Sequence, residues 1–140
     1  MDEELIAGLI INAFEARTAS YCPYSGYAVG AALLTDDDEI FRGCNVENSS
    51  YGATICAERC AALKAVSEGH RSFKAIAIVG APKDAAEVND YAYPCGICRQ
   101  FLYEFGGPDM TVIAAKSIDD KKIYKLSELL PEAFSSDNLK

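Results

Sequence analysis

The 140-residue sequence is poor in basic residues and has a single histidine. Lys and Arg together number 13 against 21 Asp and Glu, so the formal net charge is -8. Binding to a nucleic-acid backbone requires clustered Lys and Arg, and this charge balance therefore argues against a nucleic-acid partner. The histidine, His70, follows Gly69 at the end of a predicted helix, where we expect a surface residue and not a metal ligand.

Long hydrophobic segments are also missing. The apolar run "LIAGLII" at residues 5–11 is too short to span a bilayer, and the residues before it are acidic where a secretory signal is basic. We therefore expect a soluble, cytoplasmic protein that does not bind membranes. Half of the residues are hydrophobic, which for a chain of this length indicates one globular domain covering residues 1–140.

Hydrophobic periodicity predicts alternating helices and strands. The expected helices cover residues 2–18, 56–69, 95–106 and 127–134, and the expected strands cover residues 27–35, 40–46, 73–81, 110–116 and 122–126. The second helix is expected to carry Ala62, Leu63 and Val66 on one face and to end at Gly69. A short turn makes the first two strands an antiparallel hairpin, and strand–helix–strand order later in the chain predicts a parallel crossover. The expected fold class is α/β, a three-layer α/β/α sandwich with a mixed, about five-stranded sheet.

Four of the six cysteines lie in two clusters. "TICAERCAAL", residues 54–63, carries Cys56 and Cys60, and "PCGICRQ", residues 94–100, carries Cys95 and Cys98. A pair spaced C-x-x-C can hold one metal ion from a single turn, and a second element can complete a tetrahedral site. In an intracellular protein, paired clusters indicate metal binding or catalysis before disulfides.

Three interpretations of the clusters stay open on the pattern alone. Four thiolates, including Cys60, would form a closed structural zinc site, whereas three thiolates without Cys60 would leave one position free for catalysis. The "CGIC" segment also resembles a redox pair, but it lacks the early strand that precedes such a pair in thioredoxin-like folds. Glu58 favours the catalytic interpretation, because a carboxylate beside a catalytic metal can carry protons and has no function at a closed site.

The sequence resembles the cytidine deaminase family along most of its length, specifically the small homotetrameric, zinc-dependent type. The segments that carry the resemblance occur in the family's order and span about residues 21–135: "CPYSGYAVGAALL", "GCNVENSSYG", "CAER", "PCGICRQ" and "ELLPEAF". The resemblance implies hydrolytic deamination of cytidine and 2′-deoxycytidine to uridine and 2′-deoxyuridine with release of ammonia, in pyrimidine salvage. It also implies the family's fold and a homotetramer with sites shared between subunits.

The resemblance assigns roles at the metal centre. Cys56, Cys95 and Cys98 match the ligands of one zinc ion per subunit, and Glu58 matches the catalytic proton shuttle. Arg59 matches an arginine that supports the thiolates. Without the resemblance, the remaining cysteines are expected to be small buried hydrophobic residues: Cys22, Cys44 and Cys60.

The resemblance also assigns the substrate contacts. Asn45 and Glu47 match residues that hold the ribose hydroxyls, and the backbone of Ala57 is expected near the base. Tyr27 stands where the family commonly has Phe against the pyrimidine, and Phe134 matches an aromatic that reaches a neighbouring subunit's site. Taken alone, the two aromatics would be core residues, Asn45 a turn residue and Glu47 an exposed loop charge.

Three rival functions remain. A deaminase of the same architecture could act on a cytosine-nucleoside antibiotic, although ribose contacts from Asn45 and Glu47 favour the plain nucleoside. A nucleic-acid-editing deaminase is disfavoured by the net charge. A zinc module without catalytic activity would use four thiolates. The polar loop 82–93, which looks longer than in compact family members, has no predicted role.

The zinc content of Cys60→Ala separates the catalytic from the structural site. With three ligands at positions 56, 95 and 98, the variant keeps about one zinc ion per chain, whereas a four-thiolate site loses its metal. Cys56→Ala loses zinc under both interpretations and serves as the control for metal loss. Elemental analysis of the purified variants provides the measurement, and a zinc-free Cys60→Ala protein would contradict the catalytic interpretation.

Overall fold

The computed structural model describes all 140 residues and contains every predicted helix and strand. The elements, in chain order, are α1 (Glu3–Arg17), β1 (Tyr27–Thr35), β2 (Ile40–Cys44), α2 (Ala57–Ser67), β3 (Phe73–Pro82), α3 (Gly96–Gly106), β4 (Thr111–Ala115), β5 (Lys121–Lys125) and α4 (Leu126–Leu129). Two short 3-10 helices, Tyr51–Ala53 and Ser136–Leu139, were not predicted. The C-terminal helix is only one turn long and ends well before the predicted residue 134.

The five strands form one mixed sheet in the order β2-β1-β3-β4-β5. β1 pairs antiparallel with both β2 and β3, β4 pairs antiparallel with β5, and only β3 and β4 are parallel. α3 lies between β3 and β4 in the chain and forms the crossover that a parallel pair requires. The predicted hairpin, the parallel crossover and the mixed sheet are therefore confirmed.

Helices cover both faces of this sheet. α1 packs on one face, where Leu9 and Ile10 meet Leu34 and Val79. On the other face the side chains that alternate with these in the strands pack against α2 and α3: Ala31, Leu33, Ile76, Ile78 and Val112. The three-layer α/β/α architecture is thus confirmed. No helix combines the length and the hydropathy that crossing a bilayer requires.

The buried face of α2 differs from the apolar face predicted from the sequence. Ala62 is buried, but Leu63 is 46% exposed and Val66 only half-buried. The buried positions are Ala57, Glu58, Ala61, Ala62 and Ala65. Alanine fits because α2 lies almost in backbone contact with β2: a Cβ on Gly43 would lie 2.3 Å from the Ala57 carbonyl oxygen. Leu63 lies outside this buried face.

Gly43→Ala tests this close approach. Its Cβ would also lie 2.4 Å from the Ala61 nitrogen, so α2 has to move, and overpacking of this kind costs about 1–3 kcal/mol. Gly8→Ala is the matched control, because nothing lies within 4 Å of its Cβ and alanine in a helix gains about 0.5–1 kcal/mol over glycine. Urea unfolding of both variants measures the difference. Wild-type stability in Gly43→Ala would contradict the packing described.

Candidate active site

Two helix N-termini bring the clustered cysteines together. Cys56 is the N-cap residue of α2, Cys95 is the N-cap residue of α3, and Cys98 follows in the first turn of α3. Neither N-cap side chain accepts a capping hydrogen bond from the backbone N–H groups of its helix, so both thiols are available for other partners. The positive ends of the two helix dipoles favour negatively charged thiolates at this point.

The three sulfur atoms have the spacing of a metal site. The Sγ atoms of Cys56, Cys95 and Cys98 all lie within 4.8 Å of one another, and those of Cys56 and Cys95 are 3.8 Å apart. A tetrahedral zinc ion with Zn–S bonds of about 2.3 Å places its sulfur ligands about 3.8 Å apart, so this group fits zinc. Cys60 is outside the group, and no cysteine forms a disulfide. The structure therefore gathers the predicted three thiols, and not four.

Arg59 lies against the thiol group. Its Nη2 is 3.6 Å from Cys56 Sγ and 3.4 Å from the Thr54 carbonyl oxygen. Hydrogen bonds from the Cys98 thiol and then from Arg59 lower the pKa of Cys56 to about 5, despite partial burial. Donation to Cys56 and burial raise the pKa of Cys98. The guanidinium offsets part of the charge that accumulates when several thiols ionise together.

Glu58 is buried in the first turn of α2, with only 4% of its surface exposed. It nevertheless lines the same cavity as Cys56 and Cys95, so the position two residues after a thiol does reach the metal side of the helix. Burial raises the pKa of its carboxyl group to about 7, with a smaller contribution from Cys56. A carboxyl group that titrates near neutrality can both accept and release a proton in one reaction cycle.

A cavity of about 350 Å³ opens beside these groups. Of the residues predicted for the site, it is lined by Tyr27, Asn45, Cys56, Ala57, Glu58 and Cys95. Cys98 is buried and Arg59 half-buried next to it. The volume accommodates a small molecule of one or two rings, and an apolar lining with a few convergent polar groups is typical of ligand sites.

Asn45 is a buried structural link at the edge of this cavity, and not the turn residue that its sequence context alone would suggest. Its Oδ1 accepts hydrogen bonds from the Val29 nitrogen at 2.9 Å and from the Ser20 hydroxyl group. Its Nδ2 donates to the Tyr27 carbonyl oxygen at 2.8 Å. One amide hydrogen remains free for a ligand, because an amide group carries two.

Glu47 lies in an adjoining recess of about 310 Å³ that shares Thr54 with the main cavity. Its Oε1 accepts hydrogen bonds from the Tyr24 and Ser25 nitrogens at 2.9 and 3.0 Å, and its Oε2 accepts one from the Ser25 hydroxyl group. These hydrogen bonds, with the Ser25 hydroxyl first, hold the pKa of Glu47 below its usual value. The carboxylate is therefore ionised and oriented before any ligand arrives.

Phe134 lines neither this cavity nor the adjoining recess of Glu47 in its own chain. It is 57% exposed, and its carbonyl oxygen accepts a hydrogen bond from Gln100 Nε2 at 2.8 Å. Tyr27, in contrast, lines the cavity and packs over Gly80, where a Cβ would lie 2.9 Å from the Tyr27 hydroxyl group. Burial and the nearby Asp90 raise the pKa of that hydroxyl group.

The predictions for the remaining cysteines and for His70 have mixed outcomes. Cys22 is buried as expected, but Cys44 and Cys60 are only half-buried. His70 is half-buried and not the surface residue that was expected, and its Nδ1 is 3.0 Å from the Asp37 carboxylate.

Five residues that line the cavity were not predicted from the sequence: Val29, Thr54, Tyr91, Ala92 and Tyr93. For the last four, the position just before Cys56 or Cys95 is the only sequence signal. Because the backbone is continuous, the residues that directly precede a metal-binding cysteine also lie close to the metal site. The segment 91–93 belongs to the polar loop for which no role was predicted.

Comparison with known proteins points in the same direction. The family model described as cytidine and deoxycytidylate deaminase zinc-binding region matches residues 6–115. The probable cytidine deaminase of Dictyostelium discoideum is 47% identical over 141 residues, covering 99% of this chain and 90% of that protein. The cytidine deaminase of Sporosarcina psychrophila is 46% identical over 131 residues, covering 94% of this chain and 92% of that protein.

Solved structures agree in fold. The crystal structure of cytidine deaminase from Burkholderia pseudomallei superposes with a TM-score of 0.81 at 44% identity, covering 91% of this chain and 97% of that one. The cytidine deaminase from Mycobacterium tuberculosis gives a TM-score of 0.77 at 39% identity, covering 96% and 98%. With the thiol group, the adjacent carboxyl group and the matched length all in place, the chain belongs to the cytidine and deoxycytidylate deaminase family of zinc-binding proteins.

Proposed function

We propose that this protein catalyses the zinc-dependent hydrolytic deamination of cytidine and 2′-deoxycytidine to uridine and 2′-deoxyuridine, with release of ammonia. The observation that carries the proposal is the shared cavity of about 350 Å³, where a buried carboxyl group, Glu58, lies beside three thiols with metal spacing. Relatives that match this chain over nearly its full length are named cytidine deaminases.

Cys56, Cys95 and Cys98 would hold one zinc ion per subunit, which supplies Lewis-acid activation of a water molecule. Arg59 donates to Cys56 Sγ and would help to hold the three thiols in place around that ion. Cys95 is exposed and lines the cavity, whereas Cys98 is buried, so an ion held by the three thiols would be reached from the cavity. No fourth metal-binding side chain belongs to this group.

Glu58 carries the protons in this mechanism. It accepts a proton from the attacking water and delivers it to N3 of the cytosine ring, which makes C4 a better electrophile. The water oxygen bonds to C4, and Glu58 transfers the remaining hydroxyl proton to the amino group. The C4–N bond then breaks, ammonia leaves, and the C4 carbonyl group forms. A carboxyl group with a pKa near 7 suits both directions of transfer.

Substrate binding is assigned to groups at the mouth of the cavity. The fixed carboxylate of Glu47 can accept hydrogen bonds from ribose hydroxyls, and the free amide hydrogen of Asn45 can donate to a sugar oxygen. Tyr27 and the backbone of Ala57 provide a surface for the pyrimidine ring. Contacts with the sugar supply binding energy far from the reacting carbon, so the free base should be a poor substrate.

We further propose a cytoplasmic homotetramer that works in pyrimidine salvage and shares its sites between subunits. The exposed side chain of Phe134, which lies outside its own cavity, supports a role in a neighbouring subunit's site. The net charge of -8 is compatible with an uncharged nucleoside and unfavourable for a polynucleotide.

Glu58→Gln tests the catalytic assignment. The variant should retain its zinc and bind substrate but release ammonia at least 10²- to 10⁴-fold more slowly, which is the usual contribution of a general acid/base. Glu68→Gln, at the exposed C-terminal end of the same helix, is the matched control and should be fully active. A zinc-loaded wild-type protein that leaves both nucleosides unchanged would overturn the proposed function.

Phe134 is tested by complementation between two impaired variants. In mixed oligomers of Phe134→Ala and Glu58→Gln chains, some sites combine Glu58 from one chain with Phe134 from its neighbour. Co-expressed chains should therefore show more activity per subunit than either variant alone, measured as ammonia release. Activity no higher than the average of the parents would place Phe134 in its own chain's site or outside the site.

A further inference from the structure

Tyr91 links the cavity to the turn between β4 and β5. Its side chain lines the cavity, and its hydroxyl group donates a hydrogen bond to the Asp120 carboxylate. Asp120 lies in the turn between β4 and β5 and does not line this cavity. The ammonium nitrogens of Lys116 and Lys122 each lie 4.6 Å from the centroid of the Tyr91 ring, within the range of cation–π attraction.

The turn that holds Lys116 and Asp120 is itself ordered by hydrogen bonds. The backbone nitrogens of Lys116 and Ser117 donate to the Asp120 carbonyl oxygen at 2.9 and 3.2 Å, and the Asp120 nitrogen donates to the Ser117 hydroxyl oxygen at 3.0 Å. The Asp120 carboxylate raises the pKa of Tyr91, so the phenol remains protonated and able to donate. The contacts of Tyr91 with the hairpin therefore have fixed partners.

A second aromatic contact joins the same segment to the same hairpin. The ring of Tyr93 meets Tyr124 of β5 edge-on with centroids 6.1 Å apart, and it lies 6.5 Å from the ring of Tyr91. Between the two tyrosines, Ala92 is buried. A Cβ on Gly80 would lie 3.0 Å from the Ala92 Cβ and 2.9 Å from the Tyr27 ring, so Ala92 and Tyr27 meet over the bare backbone of β3.

We propose that Asp120 is a positioning residue for the active site, acting through Tyr91. Together with Lys116 and Lys122 it holds segment 91–93 as the cavity wall beside Tyr27, and so fixes the width of the space that receives the pyrimidine ring. The inference rests on the proposed function in so far as the ligand is a cytosine nucleoside. It also gives loop 82–93 a role, since the loop carries a wall of the cavity and is anchored to the β4–β5 turn.

Asp120→Ala should raise the KM for cytidine by about 3- to 10-fold, the fold-change that corresponds to the net contribution of one hydrogen bond. The kcat should stay within about twofold of the wild-type value, because Glu58 and the thiols are not displaced. Asp119→Ala removes the same charge from the same turn but has no hydrogen-bond partner there, and it should leave both constants unchanged. An unchanged KM in Asp120→Ala overturns the proposal.

A double-mutant cycle separates positioning through Tyr91 from a general effect of the turn. Tyr91→Phe removes only the hydroxyl group, so the double variant Tyr91→Phe/Asp120→Ala should raise KM no further than Asp120→Ala alone. Independent, multiplicative effects of the two changes would show that Asp120 does not act through this hydroxyl group. A lower melting temperature with KM unchanged would show that the Tyr91–Asp120 contact stabilises the fold without positioning the site, which would overturn the proposal.

Hydrogen–deuterium exchange of the zinc-loaded protein gives a readout that does not depend on turnover. Amides of residues 84–93 should exchange faster in Asp120→Ala than in wild type, and at the wild-type rate in Asp119→Ala. If wild type does not deaminate cytidine, the proposed function fails while the exchange result still decides whether Asp120 holds the segment. Unchanged exchange in Asp120→Ala overturns the inference even in an active enzyme.

Discussion

Three sulfur atoms from two helices have to meet within one metal–ligand sphere, and much of the fold serves that requirement. Cys56 and Cys95 cap α2 and α3, and Cys98 follows one turn later, so the two helices must start at the same point on one face of the sheet. The near-backbone contact of α2 with β2 at Gly43 sets how closely α2 lies against the sheet. The crossover between parallel strands β3 and β4 sets the position of α3. A shift of either helix by about 1 Å would spoil the sulfur spacing of 3.8 Å.

The protonation states of the thiols and of Glu58 depend on the same placement of α2 and α3. Helix N-termini and Arg59 favour thiolates, whereas burial of Glu58 favours a carboxyl group that still holds its proton near neutrality. The surroundings thus lower the pKa of Cys56 and raise the pKa of Glu58, although the two residues are close in sequence. The three thiols are suited to holding a cation, and the Glu58 carboxyl group is suited to exchanging protons. Such a division of pKa values is typical of acid–base enzymes.

The sequence predicted those features that depend on local pattern. Apolar periodicity located every strand and long helix, and the C-x-x-C spacing located the metal half-site. The buried face of α2 could not be predicted, because it depends on the backbone approach of α2 to a glycine of β2 distant in sequence. Pattern alone also could not decide whether Cys60 belongs to the metal group, since residues 56 and 60 share a face only if both lie inside the helix. Cys56 instead caps it.

The walls of the cavity were the least predictable part. Tyr91 lines the cavity through a loop whose path is set by contacts with the β4–β5 hairpin, about 30 residues further along the chain. Glu47 was predicted at the substrate, but its separate recess and its hydrogen bonds to the backbone at Tyr24 and Ser25 arise from a loop that folds back on it. Contacts of this kind join segments that carry no shared sequence pattern.

X-ray absorption spectroscopy at the zinc edge of the purified, metal-loaded protein tests the central claim most directly. Three thiols with one open position predict a first shell of about three sulfur atoms at about 2.3 Å and one oxygen or nitrogen atom at about 2.0 Å. The contribution of this oxygen or nitrogen atom to the spectrum should change when a substrate analogue is added. A shell of four sulfur atoms, unaffected by any nucleoside, would contradict the account and show that the metal centre is structural.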